Sequence, residues 1–120
     1  MFQIKSQNKE IIYNGLLNLS ELICLNLSNK TQIIDFIIKD SIINDLIILA
    51  DDDRIDIKIN TLKCLRYVSE NTPKIDMKLN NQIFEILNKN IESEFVDVQF
   101  EVKFIYLIYS KGFKNFNKYV

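Results

Sequence analysis

The sequence predicts an all-α protein whose helices stack as an α-solenoid of about two and a half repeats. Three observations lead to this prediction. Residues that break helices are rare, because the 120 residues include only 2 glycines and 1 proline. Apolar residues recur at helical spacing along most of the chain. Segments of the chain also resemble one another in the order of their apolar, polar and acidic residues.

The apolar spacing predicts the helices in order along the chain. Residues 11–22 carry the first apolar stripe, and Thr31 is expected to cap a short helix that follows it. Ser41 is the expected cap of a further helix, which ends at the three aspartates of residues 51–53. A long helix then begins near Ile57, where apolar residues are spaced by three and four positions.

The segments repeat along the chain. Residues 42–69 align without a gap with residues 83–110, so that the acidic run DDDRID falls on ESEFVD. Residues 57–68 also align with residues 11–22, and the pattern that the two share is I-x-x-N-x-L-x-x-L. Self-similarity at a spacing of about 40 residues is typical of solenoid repeats built from two or three helices.

Residues 29–71, which include SIINDLIILADDDRIDIKINTLKCLRYVSEN, resemble an armadillo repeat with a short first helix, a second helix, an acidic loop and a long third helix. Residues 73–112 resemble a second, more degenerate copy, and residues 10–28 are similar to a third helix alone. HEAT repeats share this apolar spacing, and the resemblance specifies a fold and no activity. It implies one right-handed solenoid domain over residues 1–120, divided into a partial repeat (1–28), two repeats (29–71 and 72–112) and a tail (113–120).

Two turns differ from the armadillo pattern, which usually has a glycine between the first and second helices. In one repeat, Ser41 takes that place beside Asp40. In the other repeat, Gln82 takes it beside Asn80 and Asn81. Because Asp and Asn tolerate left-handed backbone, turns are expected at both places.

Peptide-binding armadillo proteins often present a tryptophan and, four residues later, an asparagine on the concave face formed by their third helices. The matching positions here hold other residue types, so capture of an extended peptide backbone is not predicted. A strip of mixed apolar and charged side chains suits a folded helix or loop of a partner protein instead. The resemblance places on this concave face Leu17, Glu21, Lys63, Tyr67, Glu70, Phe104 and Ile108.

Composition argues against several classes of function. The chain has no histidine, the usual general base and metal ligand, and no glycine-rich phosphate loop or nucleophile motif. A net charge of −1 provides no basic surface for nucleic acid. No segment has the length and apolar content of a membrane span, and the N-terminus lacks the pattern of a signal or transit peptide. We therefore expect no enzyme activity, no cofactor, no metal, and no nucleic-acid or membrane partner.

The cysteines and the aspartate run both have structural interpretations. Cys24 and Cys64 lie in apolar helical patterns without CxxC spacing, and we expect free, buried thiols in a reducing, cytoplasmic compartment. Residues 51–53 lie just before a helix, where carboxylates favour the positive end of the helix dipole. The run lacks the ligand order and the glycine of a calcium loop, so we predict that it is a joint between helices.

The C-terminal stretch KGFKNFNKYV carries Phe113, Phe116 and Tyr119 at every third position, between lysines. Aromatic and basic residues in this order can form an arm for nucleic acid or for an acidic partner. The alternative is a short amphipathic segment that folds over the last repeat as a cap. The acidic balance of the whole chain favours the cap.

The function predicted from this architecture is protein binding. So few repeats leave apolar surface exposed at one end or both, and a partner protein or a second copy of the chain can cover it. We therefore predict a small adaptor or scaffold subunit of a larger complex that binds its partner through the concave face. The alternatives are a small helical inhibitor, or immunity-type protein, that blocks a partner enzyme sterically, and an enzyme or cofactor binder that uses the solenoid as its scaffold.

Overall fold

The computed structural model describes residues 4, 6–25, 30–39, 41–71 and 77–112, and the C-terminal tail and Asp40 lie outside these ranges. The described residues form α-helices and no strand, so the all-α prediction is confirmed. No helix among them is long and apolar enough to cross a lipid bilayer. The helices are α1 (Lys9–Leu25), α2 (Lys30–Lys39), α3 (Ile42–Leu49), α4 (Ile55–Asn71), α5 (Met77–Asn90) and α6 (Val96–Gly112).

The central helix of the fold is α4, which packs against α1 on one side and against α6 on the other. In the described residues α1 and α6 do not contact each other, so these three helices form one layer with α4 in the middle. The second layer contains α2, α3 and α5, in which α3 lies between the other two and also packs on α4. The shortest dimension of the molecule, 23 Å, corresponds to two layers of helices packed about 10 Å apart.

The contacts between α1 and α4 show that these two helices run parallel. Near the start of α1, Lys9 forms an ion pair with Asp52, which lies just before α4. About two helix turns further along α1, the Cys64 thiol of α4 contacts the carbonyl oxygen of Leu16 at 3.8 Å. Residue numbers therefore rise together along the interface. The two helices that align in sequence, over residues 11–22 and 57–68, are thus neighbours with the same direction.

The core follows the internal alignment of the sequence. Positions that align with each other are buried in both copies, as Leu16 and Leu62 are, and as Leu46 and Leu87 are. Each buried leucine or isoleucine contributes about 1.5–3 kcal/mol by leaving water. Ile11 is an exception, because it aligns with a fully buried isoleucine and yet is exposed. Along this layer, α1 has a neighbouring helix on one side only.

The turn between α2 and α3 adopts the left-handed backbone that the sequence predicts. Ser41 has φ 62° and ψ 14° and precedes α3 directly. Its hydroxyl makes no capping hydrogen bond, because a capping side chain requires extended backbone at this position. The expected cap at Thr31 is wrong as well, since α2 already begins at Lys30.

The turn predicted around Gln82 does not form. Helix α5 runs without interruption from Met77 to Asn90 and includes Asn80 and Asn81. The residues there contain no glycine or proline, and Ile83, Ile86 and Leu87 continue one buried face of the helix. An unbroken hydrogen-bonded helix with an apolar face is more stable than a turn that only two asparagines favour.

Candidate protein-binding site

The seven residues predicted for the concave face all lie on the layer formed by α1, α4 and α6. Their side chains reach the surface to different extents: the two glutamates are exposed, and the other five are half-buried. We call this set of seven residues the α1–α4–α6 face. It comprises Leu17 and Glu21 of α1, Lys63, Tyr67 and Glu70 of α4, and Phe104 and Ile108 of α6.

An ion pair between α4 and α6 contacts two residues of this face. The Arg66 Nε atom is 2.8 Å from Oε2 of Glu101, and the two side chains are only 16% and 4% exposed. The Arg66 guanidinium also lies over two aromatic rings, 5.0 Å from the centre of Tyr67 and 4.9 Å from the centre of Phe104. Cation–π contacts at this distance are attractive and orient the guanidinium plane. We call these four residues the Arg66 cluster.

Burial and nearby positive charges have opposite effects on the pKa of the Glu101 carboxyl group in the Arg66 cluster. Burial raises the pKa of Glu101, while the positive charges of Arg66 and Lys63 act to lower it. The carboxylates of Glu70 and Asp97 add to the rise. The Nε–H bond of Arg66 does not point at the Glu101 oxygen, so the pair is held by charge attraction without an aligned hydrogen bond. Substitution of Arg66 or Glu101 alone would leave the other side chain as a buried charge without its partner.

Tyr67 connects α4 to α1 through Cys24. A hydrogen bond with Cys24, together with burial, raises the pKa of Tyr67 to about 12. Both cysteines are free, but the prediction that both are buried is wrong, because Cys24 is exposed near the end of α1. Cys64 is buried, and this burial raises the pKa of its thiol to about 12. A thiol with that pKa is almost entirely protonated at neutral pH and is a weak nucleophile.

The aspartate run lies in the turn between α3 and α4, where a joint was predicted. Asp51 pairs with Lys89 of α5 at 3.1 Å, and Asp52 pairs with Lys9 of α1. The backbone N–H of Arg54 donates a hydrogen bond to Asp52 at 2.9 Å. Burial acts to raise the pKa of Asp52, but the hydrogen bonds from Lys9 and Arg54 outweigh it and hold that pKa below its ordinary value. The run thus links α1, α4 and α5.

Potential metal ligands do not gather in the part of the chain that the structure describes. Over residues 4, 6–25, 30–39, 41–71 and 77–112, no group of three or more histidine, cysteine, aspartate or glutamate side chains has an arrangement that could hold a metal ion. The aspartate run uses its carboxylates for helix-to-helix ion pairs and a backbone hydrogen bond.

The sequence prediction missed Arg66 and Glu101, although it included their neighbours Tyr67 and Phe104. One signal was available, since Glu101 aligns with Asn60 and Asn14, so this position is polar in all three aligned helices. The alignment of the helices did not indicate that Arg66 is the partner of Glu101. The ion pair depends on how α4 is rotated against α6, which the spacing of apolar residues does not determine.

Comparisons with known proteins do not assign this chain to a family. A scan against protein-family models, a search of curated proteins and a search of solved structures each gave no match. The resemblance to armadillo and HEAT repeats therefore remains a prediction that depends on apolar spacing and on the internal alignment.

Proposed function

We propose that this chain is a small adaptor or scaffold subunit that binds a partner protein through the α1–α4–α6 face of a right-handed armadillo- or HEAT-like solenoid. The packing of the helices supports the solenoid. α4 lies between α1 and α6, α1 is parallel to α4, and the remaining helices form a second layer. Solenoids present one continuous surface in this way and use it for binding.

The Arg66 cluster is the observation on which this proposal depends. Arginine and tyrosine are among the residues that contribute most to binding energy at protein interfaces. Here the rings of Tyr67 and Phe104 are half-buried, and Arg66 is held between them by contacts within the fold. Side chains that are already ordered lose little conformational entropy when a partner binds. The cluster is therefore a pre-organised anchor.

Charged residues at the edge of the face indicate the chemistry of the partner. Glu21 and Glu70 are both exposed, one on α1 and one on α4. Exposed charges at the rim of an interface steer association and disfavour partners of the same sign. We expect a folded helix or loop that has basic residues opposite these two glutamates and a carbonyl, carboxylate or aromatic group opposite Arg66.

The test is an affinity pull-down of the tagged chain from its native extract, performed side by side with two charge-reversed variants. The face variant carries Glu21→Lys and Glu70→Lys. The matched control carries Asp35→Lys and Glu85→Lys, which are exposed residues of α2 and α5 in the other layer. Both variants have the same net charge, and neither change removes a buried contact, so circular dichroism should show two folded proteins.

We expect the natural chain and the control variant to recover the same stoichiometric partner and the face variant to lose it. Reversal of two rim charges should weaken binding at least about tenfold at low salt and less at high salt. Equal recovery of the partner by the face variant would refute binding through this face. Recovery of no partner by any of the three proteins would refute the adaptor function.

A further inference from the structure

Large apolar side chains are exposed around the turn between α5 and α6. The exposed fraction is 76% for Val96 and 56% for Phe100. Ile91 and Phe95, which lie in the turn itself, are each 41% exposed. We call Ile91, Phe95, Val96 and Phe100 the turn patch. Several large apolar side chains exposed within one short stretch of chain indicate a surface that binds another molecule.

Three carboxylates lie between the residues of the turn patch. Glu92, Glu94 and Asp97 are exposed, and none of them forms an ion pair with another described residue. The whole chain has a net charge of only −1, so these three side chains make a local excess of negative charge beside apolar surface. Such a surface attracts a partner that carries basic residues.

The turn between α3 and α4, which aligns with this turn in sequence, shows how carboxylates at this place are used. Asp51, the equivalent of Glu92, forms an ion pair with Lys89 at 3.1 Å. Beside it, Lys58 of α4 donates a hydrogen bond to the side chain of Asn90 at 2.9 Å. Lys89 and Asn90 are the last two residues of α5. The first turn is therefore covered by the end of a helix that contributes a lysine.

The apolar residues of the two turns differ in the same way. Ile55 and Ile59 are half-buried, and Ile59 packs against the core. Val96 and Phe100, which align with them, are exposed. Among the described helices, only α4 and α5 pack against α6. The second turn thus repeats the apolar and acidic pattern of the first, and no described helix takes the place that α5 has at the first turn.

We propose that the turn patch binds an α-helix of a partner protein whose contact side carries apolar residues together with lysine or arginine. The apolar residues of this helix cover Val96 and Phe100, and its basic residues lie opposite the three carboxylates. Lys103 is exposed about one helix turn beyond Phe100 and disfavours a second positive charge beside it. The basic residues of the partner helix therefore gather at the end that lies over the turn.

A symmetric contact between two copies of the chain fits the turn patch less well. In a two-fold dimer the same surface lies on both sides of the interface, so the three carboxylates of each copy would face each other. Like charges disfavour this association, whereas the basic residues of a partner helix are attracted by the same carboxylates. The occupant is therefore a different protein.

The inference goes beyond the proposed function, because the turn patch shares no residue with the α1–α4–α6 face. It adds a second binding surface for a second partner. A chain with two such surfaces can hold two proteins together, and each surface can be tested without the other.

The probe is a synthetic amphipathic helical peptide of leucine and lysine that carries a fluorescent label. The full chain is titrated into this peptide, and binding is measured as fluorescence anisotropy. A matched peptide has glutamate in place of every lysine. We expect the natural chain to bind the lysine peptide and not the glutamate peptide, because the carboxylates beside the turn patch attract one and repel the other.

Two variants of the chain test the two parts of the surface. The charge variant carries Glu92→Lys and Glu94→Lys and should bind the lysine peptide at least about tenfold more weakly at low salt and less so at high salt. The apolar variant carries Phe95→Ser and Val96→Ser and should lose at least about tenfold in affinity at both salt concentrations. Circular dichroism checks that both variants are folded.

Two matched controls lie in the other layer of helices. Asp35→Lys with Glu85→Lys makes the same change in net charge as the charge variant. Ile48→Ser removes an exposed apolar side chain of α3. Both controls should bind the lysine peptide as the natural chain does, and so should the variant with Glu21→Lys and Glu70→Lys.

Three results would overturn the proposal. The first is a natural chain that does not bind the lysine peptide, which is also the result expected if a second copy or another part of the chain covers the turn patch. The second is unchanged binding by the folded charge variant. The third is an equal loss in the charge control, because net charge alone would then explain the binding. None of these results would change the capture of a native partner through the α1–α4–α6 face.

Discussion

Removing Arg66 while Glu101 remains is the most informative perturbation of this fold. In Arg66→Met, the 4% exposed carboxylate of Glu101 loses its nearest positive charge. Breaking a buried pair from one side costs about 3–5 kcal/mol, and the 16% exposure of Arg66 argues for the lower end of this range. With a urea m-value of about 1.5 kcal/mol/M, the midpoint should fall by roughly 2 M.

The matched changes separate the charge from the packing. Glu101→Gln keeps the shape of the side chain and leaves Arg66 with its two aromatic contacts, so we expect a loss of about 1–2 kcal/mol. The double variant has no buried charge and should be more stable than Arg66→Met alone. Urea unfolding followed by far-UV circular dichroism measures all three variants. A loss below about 1 kcal/mol in Arg66→Met, or additive losses in the double variant, would refute the reasoning.

The same pair predicts a dependence of stability on pH. Burial raises the pKa of Glu101 above its ordinary 4.5, so the folded protein binds this proton more tightly than the unfolded chain does. The contribution of Glu101 to stability therefore falls as pH rises from 4.5 through the folded pKa. Arg66→Met removes the charge that lowers this pKa, so its penalty should be large at pH 7 and small at pH 4. A penalty of equal size at both pH values would contradict this account.

Three further predictions concern other parts of the fold. Asp52 has a lowered pKa, so it stabilises the fold above its ordinary pKa of 3.8 and this contribution is lost as pH falls through the folded value. Asp52→Asn should cost about 0.5–1 kcal/mol at pH 7 and less as the pH falls below 3.8, as urea midpoints would show. Ser41→Gly should raise the free energy of unfolding by about 0.5 kcal/mol, because glycine tolerates φ 62°, whereas Ser41→Val should lower it by at least about 1 kcal/mol. Of the two thiols, Cys24 should react with a thiol reagent in the native protein and Cys64 only in urea; fast reaction of both would contradict the burial of Cys64.

Features of the fold that depend on the periodic spacing of apolar residues could be predicted from the sequence. Apolar spacing and scarce glycine and proline predicted helices. Some positions that align between residues 42–69 and 83–110, such as Leu46 and Leu87, are buried in both copies, whereas Ala50 is buried and its aligned partner Ile91 is exposed. A left-handed turn before α3 was also predicted, because Ser41 takes the place of the usual armadillo glycine beside Asp40, and the residue with positive φ is Ser41 itself.

Features that depend on how the helices pack against each other could not be predicted from the sequence. The turn predicted at Gln82 was wrong because the apolar face of α5 continues through it. Cys24 lies in an apolar stretch and is still exposed, because it continues the half-buried side of α1 that carries Leu17 and Ser20, whereas the buried side carries Leu16, Leu19 and Ile23. The Arg66–Glu101 pair forms across two helices that are far apart in sequence, so its geometry follows from their relative rotation.

The measurement that tests the central claim most directly is cross-linking of the chain to its captured partner through lysine, with the cross-linked residues identified by mass spectrometry. Lys63 lies on the α1–α4–α6 face, and Lys89 is exposed on α5 in the other layer. Binding through the proposed face predicts cross-links from Lys63 to the partner and none from Lys89. Cross-links to the partner from Lys89 alone, or cross-links of the chain only to itself, would contradict the account.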